Sequence, residues 1–204
     1  MCTIIVGKER MPFLSSLQAI GASEELSDLV QFTDELGSHV TLEPERFAIS
    51  AKSFMPIFEY LRNRDFHPVL ISHRGQTMLQ GVLLREDADK AAKVVAETYC
   101  GASLLHMAPL QSLCLQKMGL LFPLGSKGIV AAAGAWLNSE KWGFEQEGEL
   151  EQLVKSYLKE HFWMLMECEG KAVSRMLRAS PGLKKELLEM VLEDDEAGMR
   201  GFDL

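Results

Sequence analysis

Residues 54–66 read FMPIFEYLRNRDF, and this stretch of the 204-residue chain says most about the fold. Its apolar side chains follow the i, i+3, i+4, i+7 spacing of a helix with one buried face: Phe54, Ile57, Phe58 and Leu61. Pro56 suits a first helical turn, where its missing N–H costs little, and Ser53 can cap that turn. The stretch therefore predicts a core-facing helix that ends in the turn-prone residues 63–65.

The composition is that of a globular protein, with 47% hydrophobic and 25% charged residues. The length suits one domain or two small ones. A net charge of −8 argues against binding to nucleic acid and to anionic membranes, because both depend on basic side chains. We expect reduced cysteines in an intracellular protein, cytoplasmic or nuclear or both, since neither a signal peptide nor a regular cysteine spacing is recognisable.

The first part of the chain predicts a small sheet. Residues 3–14 suggest a β-hairpin, and residues 39–42 suggest a further strand. Ser15 or Ser16 can cap a short helix that ends near residue 20. Ser23 can cap a second helix, which we expect to continue to Gly37 with an apolar side: Leu26, Leu29, Val30 and Phe32.

The remainder is mainly helical. Residues 86–99 and a segment that starts at Pro109 have helical patterns, whereas Met78–Leu84 suits a strand or a helix. Residues 119–148 contain six glycines and Pro123, and they suggest a linker with a short helix at 129–137. The clearest periodicity covers residues 150–166 and predicts one helix of four turns. Two shorter helices follow, around Val173 to Leu177 and around Leu183 to Val191, before a solvated acidic tail at 193–196.

We therefore predict an α+β fold, with a sheet of three or more strands beside a helical cluster and a helical extension after it. Several strings in this order resemble the BTB/POZ family, in particular its fungal members. Residues 4–13 (IIVGKERMPF) resemble the opening hairpin, and residues 56–61 (PIFEYL) with Phe66 resemble the central helix and its exit turn. Residues 96–99 and 109–118 resemble the closing helical pair, and residues 157–163 (YLKEHFW) resemble the start of a BACK-like helical extension.

The resemblance implies a division into a BTB/POZ domain at 1–118, a Gly-rich linker at 119–148 and a helical C-terminal extension at 149–204. It also implies a function. BTB/POZ domains bind proteins and perform no chemistry, so we expect an adaptor or oligomerisation module with no cofactor and no metal. Its partners would be other proteins or a second copy of itself.

Two departures from the family pattern refine this expectation. The hairpin starts at residue 3, so the elements that exchange strands in longer family members are not seen, and we predict no strand-exchanged dimer. Cullin adaptors carry a hydrophobic-x-Glu motif, whereas this chain has Leu36-Gly37-Ser38 at the corresponding place. The candidate partner-binding residues are Phe32, Asp34, Glu35 and Leu36. We expect weak or absent cullin binding, with Asp34 and Glu35 one helical turn before the motif and pointing away from it.

Two other functions stay open. One is a substrate adaptor or elongin-like subunit of a cullin ubiquitin ligase, and the other is a small-molecule enzyme with an unrecognised pocket. The chemical motifs are weak. Residues 119–127 lack the order and spacing of a phosphate-binding loop, and the five histidines and four cysteines show no metal-ligand spacing. Cys100 and His106 could form a thiol–base pair, but a core cysteine is the more common use of such a residue.

Overall fold

The computed structural model describes residues 1–47, 49–140 and 148–189. For residues 138–140 it describes the backbone alone. Strands β1 (Cys2–Val6) and β2 (Met11–Ser15) form the predicted antiparallel hairpin. Gly7 allows the connecting turn because its φ of +74° suits a residue without a Cβ. The β-branched residues Ile4 and Val6 are fully buried, so β1 belongs to the core.

The hairpin is one half of a four-stranded mixed sheet with the order β2-β1-β4-β3. Strand β4 (Gly37–Leu42) runs parallel to β1, with Ile4 opposite Val40, and β3 (Gln31–Thr33) runs antiparallel to β4. A parallel pair needs a crossover, which here contains helices α1 (Leu17–Ile20) and α2 (Glu24–Asp28). The expected α+β class is confirmed.

The prediction that α2 continues to Gly37 is wrong. The helix ends at Asp28, and three residues that were expected on or near it form strand β3 instead. The aromatic and β-branched residues Phe32 and Thr33 favour extended backbone, and pairing with β4 supplies hydrogen bonds that an isolated helical turn cannot. Ser23 does cap α2 as predicted, since its Oγ accepts a hydrogen bond from Leu26 N at 3.0 Å.

Helix α3 (Pro44–Phe47) leads into α4 (Ala51–Asn63), the helix predicted from the opening stretch. Ser50 caps α4 instead of Ser53, because its Oγ accepts from Ser53 N at 3.1 Å. Pro56 consequently lies in the second turn, not the first. The buried face contains the expected apolar positions and packs on the sheet, where the Phe13 ring meets the Phe54 and Phe58 rings edge-on at 5.1 Å.

A second hairpin and three helices follow α4. Strands β5 (Leu70–His73) and β6 (Gln76–Leu79) pair antiparallel, which resolves the ambiguity at Met78 in favour of a strand. Helices α5 (Arg85–Leu104) and α6 (Ala108–Leu121) form the expected pair. Helix α7 (Ser126–Glu140) extends beyond the predicted 129–137 and packs along α5.

The last described part is helical. Helix α8 (Glu149–Glu160) is followed by α9 (Phe162–Ala179) and by a final helical segment at 181–189. The single helix predicted over 150–166 is wrong, because the backbone leaves helical geometry at His161. Helix α9 in turn joins segments predicted as separate, with a kink at Glu169. The C-terminal part of the last predicted helix and the acidic tail lie outside the described residues.

These elements share one continuous apolar core, which extends from Cys2 in β1 to Leu187 in the last helical segment. The division at residues 118 and 148 stays a prediction. Within the described ranges, no helix has the length and apolar character that a membrane span requires.

Candidate interaction surface

The four residues predicted to bind a partner lie together on the β3–β4 hairpin, which we call the edge hairpin (residues 31–38). Phe32 lies in β3, while Asp34, Glu35 and Leu36 form its tip. Leu36 N donates a hydrogen bond to Thr33 Oγ1 at 3.2 Å, and Gly37 turns the chain with a φ of +64°. The prediction that Asp34 and Glu35 point away from Leu36 along a helix is wrong, because no helix forms there.

The edge hairpin exposes two large apolar side chains. Phe32 is 73% exposed and Leu36 is 51% exposed. Phe32 lies opposite Ser38, and strand alternation places Ser38 on the same face as the buried residues Val40 and Leu42. Phe32 therefore extends the apolar face of the sheet beyond the edge of the core. Burial of an aromatic ring in this position contributes favourably to the free energy of binding, because a partner removes its apolar surface from water.

The backbone of the edge hairpin adds directional groups. Strand β3 ends the sheet order, and no strand of the described chain lies beyond it. All three of its residues are exposed. The outer N–H and C=O groups of such an edge can pair with an extended segment of another protein. The base of the hairpin is fixed, because the buried His39 ring donates from Nδ1 to Gly37 O at 3.1 Å.

The charge of this surface is acidic. Asp34 and Glu35 directly precede the exposed Leu36 at the tip, and both are exposed. The edge hairpin thus offers an apolar pair beside two carboxylates. A complementary partner presents an apolar pocket with Lys or Arg at its rim.

A buried lysine that the sequence reasoning missed fixes the exit turn of α4. Lys117 of α6 is fully buried, and its ammonium donates to Phe66 O, to Pro68 O at 2.8 Å and to Asp65 Oδ1 at 2.5 Å. These three acceptors match the three N–H groups of an ammonium. The same ammonium lies 3.7 Å from the centre of the Phe66 ring.

Burial lowers the pKa of Lys117, while the hydrogen bond and the charge of Asp65 oppose this shift. The carboxylate of Asp65 also accepts from Phe66 N at 2.7 Å and from Leu70 N at 2.9 Å. A signal was present in the sequence, because Lys117 occupies a position in the buried stripe of α6: Leu110, Cys114, Lys117, Met118 and Leu121. A lysine on an apolar stripe indicates a buried polar contact.

A cavity of about 480 Å³ lies where the first turns of α5 and α7 meet α9. It borders the segment considered as a phosphate loop. Gly125 N donates to Asp89 Oδ1 at 2.8 Å, so a carboxylate already uses this N–H of the α7 start. A Cβ at Gly125 or Gly128 would lie about 2.5 Å or less from the Asp89 carboxylate. The two glycines therefore allow α7 to dock on α5, which is a structural use of residues that resemble a ligand loop.

The other chemical candidates lie apart. The Cys100 thiol donates to Ala135 O at 3.8 Å in the α5–α7 contact, whereas the exposed His106 lies near Glu25, 4.0 Å from its carboxylate. Burial raises the pKa of the Cys114 thiol, which keeps it protonated at neutral pH. Across the residues that the structure describes, no three His, Cys, Asp or Glu side chains form a group suited to a metal ion.

Comparison of the chain with protein-family models, with curated proteins and with solved structures finds no match. The function is therefore argued from the sequence strings and from the geometry of the edge hairpin.

Proposed function

We propose that this protein is an intracellular interaction module of the BTB/POZ type, without catalytic chemistry, that binds a protein partner through its edge hairpin. The observation that carries the proposal is the exposure of Phe32 and Leu36 beside a strand edge that no strand of the described residues pairs with. Exposed aromatic side chains and open strand edges favour aggregation, and a large exposed apolar patch often marks a protein interface, where binding a partner covers it. The BTB/POZ-like strings, in an α+β chain with a helical C-terminal region, support the family.

The proposal is tested by affinity capture from cells in which the protein is native, with quantitative mass spectrometry. The chain carrying Phe32→Ser and Leu36→Ser is compared with the unchanged chain. Removal of a central anchor costs about 2 kcal/mol or more, which weakens binding about thirtyfold. Partners of the edge hairpin are those lost on this change.

The matched control is Leu83→Ser, because Leu83 is 89% exposed and lies before α5, away from the edge hairpin in sequence. This variant is expected to retain the same partners. Partners that are retained by the Phe32 and Leu36 variant, or lost equally in the control, would remove the edge hairpin from the proposal. Sedimentation of the same variants over a range of concentrations tests whether the partner is a second copy.

A cullin is the alternative partner. Leu36 supplies an exposed apolar knob, and the tip places Asp34 and Glu35 beside it, but Ser38 stands where the family motif has Glu. We propose that cullin binding is weak or absent, since a missing interface anchor costs about 2 kcal/mol. Submicromolar binding of the purified chain to a BTB-specific cullin, lost on Leu36→Ala, would establish the cullin adaptor instead.

A further inference from the structure

The second half of α9 carries a surface groove lined mainly by basic residues, which we call the basic groove. Its volume is about 410 Å³, and its lining comprises Gly170, Lys171, Ser174, Arg175 and Arg178. The three basic side chains are exposed. They follow one another at spacings of four and three residues, so they lie on one face of the helix.

The positive charge of the basic groove has no acidic partner among the described residues. Lys171, Arg175 and Arg178 form no ion pair there. Arg175 Nε donates to the backbone oxygen of Lys171 at 3.4 Å, which leaves the charge of the guanidinium unbalanced. Residues 170–185 contain five basic and no acidic residues. A cluster of this kind sets up a local positive potential that attracts a carboxylate.

The edge hairpin carries the opposite charge. Residues 31–38 contain two acidic and no basic residues. The carboxylates of Asp34 and Glu35 are exposed, and neither forms an ion pair within the part of the chain that the structure describes. Because the edge hairpin and the basic groove are both exposed in one chain, a contact between them joins two copies.

The dimensions of the two surfaces agree. Lys171 and Arg178 lie about 11 Å apart along α9 at 1.5 Å per residue. Asp34 and Glu35 are neighbours, with Cα atoms about 3.8 Å apart, and the two strands of the hairpin are separated by about 5 Å. The tip of the hairpin is therefore narrow enough for both carboxylates to face the three cations of the groove.

Apolar side chains accompany the charges on both surfaces. In the first half of α9, before the kink at Glu169, Trp163 is 66% exposed and Met164 is 42% exposed. Met164 precedes the first cation of the groove by seven residues, roughly 10 Å along the helix. Phe32 and Leu36 each lie two residues from Asp34, about 7 Å along the chain, and their side chains extend this reach. One edge hairpin thus spans both halves of α9.

We propose that the edge hairpin of one copy docks on α9 of a second copy, which rests on the proposed function and names its partner. The Asp34 and Glu35 carboxylates lie in the basic groove, and Phe32 and Leu36 cover the exposed apolar residues of α9. Single exposed ion pairs contribute little, so the apolar contact and the grouped charges act together. The contact uses side chains, because a helix cannot extend the sheet at β3. A surface of this size gives weak, concentration-dependent association.

Sedimentation equilibrium of the full chain over a hundredfold range of concentration tests the proposal. The average mass of the unchanged chain should rise with concentration, and about 1 M salt should weaken the association because it shortens the Debye length to ~3 Å. The hairpin variant carries Asp34→Lys with Glu35→Lys, and the groove variant carries Arg175→Glu with Arg178→Glu. Each variant alone should associate about tenfold more weakly or less, since its two surfaces then repel each other.

A mixture of the two variants separates docking from misfolding. In an equimolar mixture, the basic hairpin of one variant meets the acidic groove of the other, and the unchanged hairpin meets the unchanged groove. Association should therefore return. The matched control carries Lys8→Glu with Lys52→Glu, which changes the net charge as much as the groove variant does, at exposed lysines outside α9. This control should associate like the unchanged chain.

Three results would overturn the proposal: an unchanged chain that stays monomeric at every concentration, a mixture that associates no better than its components, or a control weakened as much as the groove variant. The proposed function has its own test in the capture experiment with Phe32→Ser and Leu36→Ser. Captured proteins lost from a chain that stays monomeric would keep the proposed function and remove only the second copy as partner. Captured proteins retained by that variant would remove the edge hairpin from the proposed function itself.

Discussion

At the scale of single residues, Lys117 shows how one buried cation organises a turn. Its three N–H groups meet two backbone carbonyls and one carboxylate, and the acceptors all belong to residues 65–68. Burial of a charge is costly unless every polar group finds a partner, and this arrangement meets that condition. The contact joins α6 to the exit turn of α4, which are 49 residues or more apart in sequence.

We predict that Lys117→Met lowers the free energy of unfolding by about 3 kcal/mol, because methionine keeps the volume but leaves Asp65 and two carbonyls without their donor. Urea denaturation measures the change. Lys93→Met is the control, since Lys93 is exposed and forms an ion pair within α5, with Glu97 at 3.7 Å. A loss at Lys117 no larger than the loss at Lys93 would contradict this role.

The stabilising effect of Lys117 should also depend on pH. Burial lowers the pKa of Lys117 in the folded chain below the 10.5 of an ordinary lysine. Between the lowered pKa and 10.5, the unfolded chain holds the proton and the folded chain releases it, so stability rises with pH in this window. The free energy of unfolding of the unchanged chain, minus that of Lys117→Met, should therefore increase between neutral pH and pH 10.5. A decrease over the same interval would contradict this prediction, because it would mean that folding raises the pKa of Lys117.

At the scale of elements, the periodicity of α4 was sufficient to identify the helix and its buried face. Phe54, Ile57 and Leu61 are buried as the spacing requires, and Phe58 is half-buried against Phe13. The helix start was less predictable, because Ser50 and Ser53 are equally good caps and only their hydrogen bond distinguishes them.

Leu61→Ala should lower the free energy of unfolding by about 2–5 kcal/mol, since it leaves a cavity at a position only 2% exposed. Phe58→Ala should also destabilise the chain, because it removes an edge-on ring contact with Phe13. Met55→Ala on the same helix is the control, since Met55 is 46% exposed. Thermal or urea unfolding measures all three, and near-neutral results at positions 58 and 61 would disprove the packing of α4 on the sheet.

The strand conformation of β3 could not be predicted from local sequence patterns. Residues 31–33 are too short for a recognisable alternation, and their state depends on pairing with β4. The place of the candidate residues in the fold therefore differs from the one predicted, and their role stays a prediction. Phe32 and Leu36 are both exposed on the edge hairpin. Local sequence patterns do not reveal that a hairpin tip places Asp34 and Glu35 beside Leu36.

At the scale of the whole molecule, helix α7 completes the core beside α5. Asp89 and Cys100 of α5 both contact α7, and Ala92 and Ala96 lie between them on the same helix face. Small residues permit this close approach, and the glycines at the start of α7 prevent a collision with Asp89. Glycine content suggested a linker here, because composition alone does not distinguish flexible chain from tight helix packing.

We predict that a chain ending at residue 118 loses cooperative unfolding, because the α5 face that contacts α7 becomes exposed. Thermal denaturation followed by circular dichroism should show a broad transition, and binding of a hydrophobic dye should increase. A chain ending at residue 189 is the control and should unfold cooperatively. If residues 1–118 unfold as sharply as the control, the first predicted domain is independent of α7.

The parallel pairing of β1 with β4 has a consequence for biosynthesis. A polypeptide leaves the ribosome with its N-terminus first, yet β1 finds its second neighbour only after residue 42 has emerged. The hydrogen bonds that fix the turn at residues 65–68 form later still, because they need the side chain of Lys117. The apolar side chains of β1 and α4 are consequently exposed in the nascent chain for much of translation. Chaperones that bind extended apolar segments would meet this protein before it completes its core.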